Sequence, residues 1–173
     1  MLREFTAADE PAVLAYQSDP RYLRFSPEEQ GSGLVQMFLD WKHEQPRCRF
    51  QWAVLLPADG RLIGNCGIRK RSADAREADI GFELDPGQWG RGYATELAAT
   101  LLRFGFVELG LHRITAHCLA ENTASARVLE KAGLRQEGRL RENEWMWNRW
   151  WDTLLYGILE PEWREGRGPD GAG

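Results

Sequence analysis

The segment from Ala78 to Glu108 constrains the fold more than any other part of the chain. Ala78–Leu84 alternates polar and apolar residues, which is typical of a strand with one buried face. Asp85–Gly87 supplies the turn residues that end this strand. Gly92–Glu108 then carries apolar and small residues at helical spacing on one face. The succession predicts a strand, a short loop and an amphipathic helix, which is a unit of an α/β domain.

The other segments add further strands and helices to this unit. We predict strands over Met1–Thr6, Phe50–Leu56, Arg61–Arg69, Arg113–Leu119, Leu134–Leu140 and Thr153–Leu159. We predict helices over Ala7–Ser18, Gly31–His43 and Thr123–Ala132. The expected fold is α/β (α+β), with a mixed sheet. The 173 residues suit one domain, here expected over 1–165, and the Gly/Pro-rich 166–173 reads as a flexible tail.

Composition disfavours several functional classes. The formal net charge is -4, from 22 Lys and Arg against 26 Asp and Glu, whereas a general nucleic-acid binder usually carries a basic surplus. No apolar run approaches the roughly 20 residues of a membrane span. The first residues lack the basic-then-apolar pattern of a signal peptide. We therefore expect a cytoplasmic protein without a membrane or nucleic-acid partner.

The cysteines and histidines do not suggest a metal site. Cys48, Cys66 and Cys118 are widely spaced and form no CxxC pair, so reduced, buried thiols are expected. His112 and His117 are five residues apart and would face opposite sides of one strand. We expect no metal cofactor, and we interpret His117 as a core histidine, with a place in the wall of the site as the alternative.

The loop between the predicted strand and helix, Gln88–Thr95, has features of a phosphate site. Gly90 and Gly92 allow a tight turn and a close approach of the backbone to a ligand. The helix that follows would present unpaired amides and the positive end of its dipole to a diphosphate, with Arg91 adding charge. No Gly-Lys-Ser/Thr follows and a third glycine is missing, so the loop is neither a P-loop nor a Rossmann fingerprint. A plain strand-to-helix turn is the alternative.

At this point the sequence resembles the GNAT acetyltransferase superfamily. Trp89–Ala94 matches the small-residue positions of its Gln/Arg-x-x-Gly-x-Gly/Ala motif, with Trp89 in place of Gln or Arg. The Trp-Gly-x-Gly-Tyr-Ala-Thr-Glu form is similar to the ribosomal-protein alanine/serine N-terminal acetyltransferases. Asn122–Leu134 resembles the Asn-x-x-Ser…Lys-x-Gly-Phe block, and Trp151–Tyr156 the last strand of that branch.

The resemblance implies a GNAT-like fold and a co-substrate. The fold would be a mostly antiparallel sheet of about six or seven strands with about four helices, in which two strands splay apart after Arg113. Acetyl-coenzyme A would be the co-substrate, with its pantetheine arm in that gap. The residues implied to bind it are Leu84, Trp89, Gly90, Arg91, Gly92, Tyr93, Ala94, Thr95, Asn122, Ser125 and Arg127.

The resemblance also implies catalytic roles, and it leaves alternatives open. Ser125 corresponds to the residue proposed to protonate the departing thiolate, and Glu144, 19 positions later, to the proposed base. Glu142 would substitute for Glu144 if the register slips. Glu83 is the competing base, because it faces away from the apolar side of its strand, and Tyr156 is the competing acid.

The acceptor is implied only as a class. Direct attack by a primary amine needs no covalent nucleophile, and a protein N-terminus is the first candidate. An antibiotic or polyamine and a non-catalytic acyl-coenzyme A binding module are the alternatives. The tryptophans of Glu142–Asp152 would either wall an amine pocket or pack a hairpin onto the core. The oligomeric state is left open, with a dimer as one option.

Overall fold

A seven-stranded sheet organises the chain. The computed structural model describes residues 1–26 and 33–166. Its strands are β1 (Leu2–Arg3), β2 (Arg49–Leu55), β3 (Leu62–Lys70), β4 (Glu77–Leu84), β5 (Arg113–Leu119), β6 (Arg135–Met146) and β7 (Arg149–Leu159). Its α-helices are α1 (Glu10–Gln17), α2 (Pro20–Leu23), α3 (Leu34–Lys42), α4 (Tyr93–Arg103), α5 (Thr123–Lys131) and α6 (Glu160–Glu165).

The sheet is mixed and mostly antiparallel, as predicted. Its strand order is β1-β2-β3-β4-β5-β7-β6. Among the described strands only β4 and β5 run parallel, and the helical segment between them makes the crossover that parallel strands require. The described residues form six α-helices rather than about four, because the short helices α2 and α6 leave no periodic pattern long enough to detect.

Helices cover both faces of the sheet. Ala53 and Leu55 of β2 point into a core shared with α1 and α3, whereas Val54 points into the larger core beneath α4 and α5. Alternate strand residues therefore enter opposite cores, as the period of two requires. The middle of the sheet is therefore packed between two apolar cores.

The helix predicted over Gly92–Glu108 divides into two parts. After α4, Phe104–Glu108 forms a π-helical turn, and the amide of Leu109 donates to the carbonyl of Phe104 at 3.1 Å. Gly105 allows this turn to approach the sheet, because a Cβ there would lie 2.6 Å from a side-chain carbon of Ile114.

The largest difference from the sequence prediction is the length of the β6–β7 hairpin. The predicted strands Leu134–Leu140 and Thr153–Leu159 were too short. The tip of the hairpin projects from the core, so exposed side chains hide the period of two. Its turn uses Trp147 and Asn148 at φ of 55° and 58°.

Parts of two predictions lie outside the described residues. These are the start of the helix predicted over Gly31–His43, at 31–32, and the predicted tail beyond Gly166. Within the described ranges, no helix has both the length and the apolar character needed to cross a bilayer.

Candidate active site

A cavity opens where the two parallel strands separate. Residues Glu77–Asp79 of β4 pair with Arg113–Thr115 of β5, and beyond that point the described residues show no further pairing between them. The cavity has a volume of about 660 Å³ and lies between the ends of these strands, the loop before α4, α5, the hairpin and the segment after α2. Its volume falls in the range of small-ligand sites.

The glycine loop turns its main chain into this cavity. Gly90 and Gly92 have φ of 75° and 86°, a left-handed conformation that glycine adopts without strain. Open space lies beside both residues. The glycines are therefore required by the backbone conformation rather than by packing.

Several amides of this loop are available to a ligand. The amides of Thr95 and Glu96 donate to the carbonyl of Gly92, which starts α4. Across residues 1–26 and 33–166, no group accepts a hydrogen bond from the five amides from Gly90 to Ala94. Five free amides at the start of an 11-residue helix fit an anion such as a diphosphate.

Trp89 fastens the loop to the sheet. Its indole nitrogen donates to the Leu84 carbonyl at 2.9 Å, across the turn that ends β4. The ring itself is 44% exposed and lines the cavity. The residue that departs from the family motif thus holds the loop at the end of the strand.

Helix α5 provides the opposite wall. The Asn122 side-chain oxygen accepts from the Ser125 amide at 3.1 Å, which confirms the helix cap. Ser125 is half-buried and lies beside Cys118 in the cavity wall. Exposed cations also line the cavity, namely Arg91, Arg127 and Lys131. Every residue predicted to bind the co-substrate lines this cavity.

Glu83 lies in the cavity wall inside a cage of donors. One carboxylate oxygen accepts from the Tyr16 hydroxyl at 2.6 Å, the Gln17 side chain at 3.0 Å and the Asn65 side chain. The other oxygen accepts from the Tyr22 hydroxyl. Burial, followed by the charge of Glu83, raises the pKa of both tyrosines, so they remain protonated donors. The cage compensates the desolvation of the charge.

Glu144 has a different environment. It is exposed, lines the cavity from β6, and accepts a hydrogen bond from the Asn143 side chain at 3.0 Å. Glu142 was the alternative candidate for the base. It has φ of 51°, and its amide donates to the Asp152 carboxylate at 2.9 Å. Glu142 does not line the cavity, so the structure brings Glu144 and not Glu142 to the site.

The two residues predicted as candidates for the acid, Ser125 and Tyr156, lie in different parts of the structure. Ser125 lines the cavity, whereas Tyr156 is 1% exposed and its hydroxyl donates to Glu130 at 3.2 Å. Tyr156 pairs with Ala116 in the interior of the sheet and is not part of the cavity wall. The structure therefore does not bring this predicted acid to the site.

His117 and the tryptophans differ from their sequence interpretation. The side chain of His117 is 62% exposed and lines the cavity, so it is not a core histidine. Trp145, Trp147 and Trp150 are exposed and only Trp151 is buried. None of these four lines the cavity. The prediction of a β-hairpin for this segment was therefore right. Its tryptophans were expected to be buried, and of the four only Trp151 is.

The residues around Glu83 were missed from sequence. Tyr16, Gln17 and Tyr22 come from α1 and α2, and Asn65 comes from β3. The one available signal was a polar residue within an apolar run, which Asn65 is in its strand. Among the described residues, no group of three or more His, Cys, Asp or Glu side chains is arranged to hold a metal ion.

Comparison with known proteins assigns the family. The chain matches the family described as Acetyltransferase (GNAT) domain over residues 1–135. It is 34% identical over 168 residues to the uncharacterized N-acetyltransferase YnaD of Bacillus subtilis, covering 94% of this chain and 95% of that protein. The chain therefore belongs to the GNAT acetyltransferases and is an acyltransferase.

Other relatives name acceptors of two kinds. The spermidine N(1)-acetyltransferase of Vibrio cholerae is 27% identical, covering 79% of this chain and 78% of that protein. The putative ribosomal N-acetyltransferase YdaF of Bacillus subtilis is 28% identical, covering 72% of this chain and 67% of that protein.

Solved structures share the fold. A GNAT-family acetyltransferase from Bacillus anthracis superimposes with a TM-score of 0.76 at 34% identity, covering 92% of this chain and 94% of that one. Spermidine N-acetyltransferase from Vibrio cholerae, solved with CoA and spermine, gives a TM-score of 0.81 at 22% identity, covering 95% of this chain and 97% of that one. This second likeness concerns the fold alone.

Proposed function

We propose that this protein transfers an acetyl group from acetyl-coenzyme A to a primary amine by direct attack. The observation that carries the proposal is a single cavity of about 660 Å³ in which free loop amides, the Ser125 hydroxyl and two carboxylates meet. Acyl transfer to an amine needs an anchored donor, a place for the amine and a route for protons. The cavity offers groups for each of these needs.

The loop and α5 would hold the donor. The amides from Gly90 to Ala94 would bind its diphosphate, and the exposed cations Arg91, Arg127 and Lys131 would neutralise phosphate charge. The unpaired edges of β4 and β5 would bind its pantetheine arm as an added strand would. When bound, acetyl-coenzyme A supplies the thioester carbonyl that the amine attacks.

The two carboxylates would act differently on the amine. Four donors already occupy the oxygens of Glu83, which suits that residue to attract and orient a cation by its charge. Among the described residues, Glu144 accepts a hydrogen bond from the Asn143 side chain alone, and it faces the same cavity. Glu144 is therefore our candidate for the base, and Glu83 for the orienting charge.

Ser125 would donate a proton to the thiolate of coenzyme A as it departs. Its hydroxyl lines the cavity beside Cys118, whose pKa burial raises to about 11. Cys118 therefore stays a thiol and does not compete as a nucleophile.

The first candidate acceptor is a protein N-terminal amine. The resemblance to the ribosomal-protein branch and the relative named a putative ribosomal N-acetyltransferase support it. A polyamine is the second candidate. Glu83 and Glu144 in one cavity would attract a molecule with two ammonium groups, and the spermidine acetyltransferase relative supports this choice.

An amine panel tests the function and ranks the acceptors. The protein is incubated with acetyl-coenzyme A and either peptides beginning with Ala or Ser, or spermidine, and free thiol is followed. Matched N-acetylated peptides without lysine, and spermidine acetylated on all of its nitrogens, report thiol release that does not depend on the amine. Amine-dependent release supports the proposal, and the larger kcat/KM identifies the acceptor class. Binding of acetyl-coenzyme A without release for any amine would instead indicate a non-catalytic binding module.

A further inference from the structure

His117 occupies a position in the cavity that the proposed roles leave unused. It lies on β5 beyond Thr115, the last residue of that strand to pair with β4, so no strand covers it on that side. Its side chain is 62% exposed and lines the same cavity as Glu144 and Ser125. An imidazole here is within the space that an acceptor amine would enter.

Charged groups from three strands face this imidazole. Asp79 of β4 places a carboxylate oxygen 3.6 Å from Nδ1. Arg69 of β3 binds the other oxygen of Asp79 at 3.0 Å. Glu144 of β6 places a carboxylate in the wall of the same cavity, whereas the β7 partner of His117 is the apolar Leu155.

These contacts orient the ring and set its basicity. Asp79 holds the Nδ1 side, and in the part of the chain that the structure describes no residue forms a hydrogen bond with Nε2. The interaction with Asp79 raises the pKa of His117 above its usual 6.5, opposed by burial and by the charge of Arg69. An imidazole exchanges its proton closer to neutral pH than an ordinary carboxylate does, which suits it to carry a proton in this reaction.

We propose that His117 is a second proton carrier of the active site, positioned by Asp79, and that it accepts from Glu144 the proton that leaves the amine. This inference rests on the proposed function. In the overall reaction the ammonium gives up two protons and the departing thiolate takes one, so one proton must reach solvent. His117 passes that proton from the cavity to water and returns to the neutral form.

The proposal fixes the sign of the pH dependence. Only neutral imidazole accepts a proton, so kcat falls as the pH drops through the His117 pKa, which lies above 6.5. A reaction in which the imidazole takes no proton would lack this fall in kcat, and replacing His117 would then leave the pH profile unchanged.

Four variants test this with one amine, whose own titration is then common to all profiles. His117→Gln is expected to lower kcat about 100-fold at pH 7.5 and to remove the fall above pH 6.5, with unchanged affinity for acetyl-coenzyme A. Asp79→Asn keeps the imidazole but removes the carboxylate that raises its pKa, so the fall in kcat should move to lower pH. Arg69→Gln removes a cation that lowers the pKa of His117, so the fall in kcat should move to higher pH. The control His112→Gln alters an exposed histidine outside the cavity and should match the wild type.

The Asp79 and Arg69 variants should shift the midpoint of the pH profile of kcat in opposite directions. A merely structural role of His117 would leave that midpoint unchanged in both variants. A His117→Gln profile identical to the wild type, or shifts of the same sign in the Asp79 and Arg69 variants, would overturn the inference while leaving acetyl transfer intact. A wild-type protein that releases no thiol with any amine would contradict the proposed function as well.

Discussion

The two sides of the cavity are built in different ways. The loop side, Trp89–Ala94, consists of main-chain groups from one continuous segment whose shape two glycines allow. The carboxylate side, formed by Glu83 and Glu144, consists of side chains. Glu83 is held by groups from α1, α2 and β3, which folding brings together from as far as 67 positions away. Contiguous backbone features can be read from a sequence, whereas an assembled cage cannot.

This comparison predicts that one charge on the loop side blocks binding. Gly92→Asp introduces a carboxylate where the diphosphate would lie, and Asp tolerates the left-handed conformation of that residue. Two unit charges about 4 Å apart repel by about 4 kcal/mol at an effective dielectric constant of 20, or roughly 1000-fold in affinity. Calorimetric titration with acetyl-coenzyme A measures the loss.

Gly110→Asp is the matched control for that variant. Gly110 also has positive φ, at 61°, and open space beside it, but it lies outside the cavity wall. Its variant should bind acetyl-coenzyme A like the wild type. Equal weakening in both variants would mean that backbone strain, and not charge in a phosphate site, reduces the affinity.

On the carboxylate side, catalysis should be lost without loss of binding. Glu144→Gln is expected to lower kcat about 100-fold, because general base catalysis typically contributes a factor of this order. The dissociation constant of acetyl-coenzyme A should not change. Glu142→Gln, two residues away and outside the cavity wall, serves as the control. Steady-state thiol release that falls equally in both variants would remove Glu144 from the role of base.

The donor cage should contribute to stability. Tyr16→Phe deletes a buried hydroxyl that donates to Glu83 at 2.6 Å. Losing a hydrogen bond to a charged group should lower the free energy of unfolding by about 2 kcal/mol. Urea denaturation measures this, with Tyr93→Phe as the control, because its hydroxyl binds no residue in the described ranges. A change below about 0.5 kcal/mol would mean that the cage is not maintained in solution.

The smallest expected effect separates two roles of Asn122. Asn122→Ala removes the cap of α5 and should lower the free energy of unfolding by about 1 kcal/mol, whereas Asn122→Asp keeps a capping oxygen. If the side-chain amide also binds pantetheine, both variants should weaken acetyl-coenzyme A binding about fivefold. Thermal denaturation and titration of the two variants measure the roles independently. Unchanged affinity in both would leave Asn122 as a cap alone.

The sequence predicted best what depends on local patterns. Strand β5 has the predicted bounds, and Ala78–Leu84 is extended by one residue, because both alternate between buried and exposed positions. The glycine loop and the Asn122 cap were recognisable because turn and cap chemistry is short-range.

What could not be predicted depends on tertiary contacts. The hairpin was predicted too short, because its tip has no buried face to impose a period. His117 could not be distinguished from a core residue, because its exposure results from the separation of β4 and β5. Tyr16 lies within a predicted helix as an ordinary buried position, and Tyr22 lies in α2, which the sequence did not predict. Only the packing of α1 and α2 turns their hydroxyls onto the carboxylate.

A crystal structure of the protein with coenzyme A tests the central claim most directly. We expect diphosphate oxygens within about 3.2 Å of amide nitrogens between Gly90 and Ala94, with the sulfur directed toward Ser125 and Glu144. A diphosphate bound elsewhere, with those amides facing only water, would contradict it.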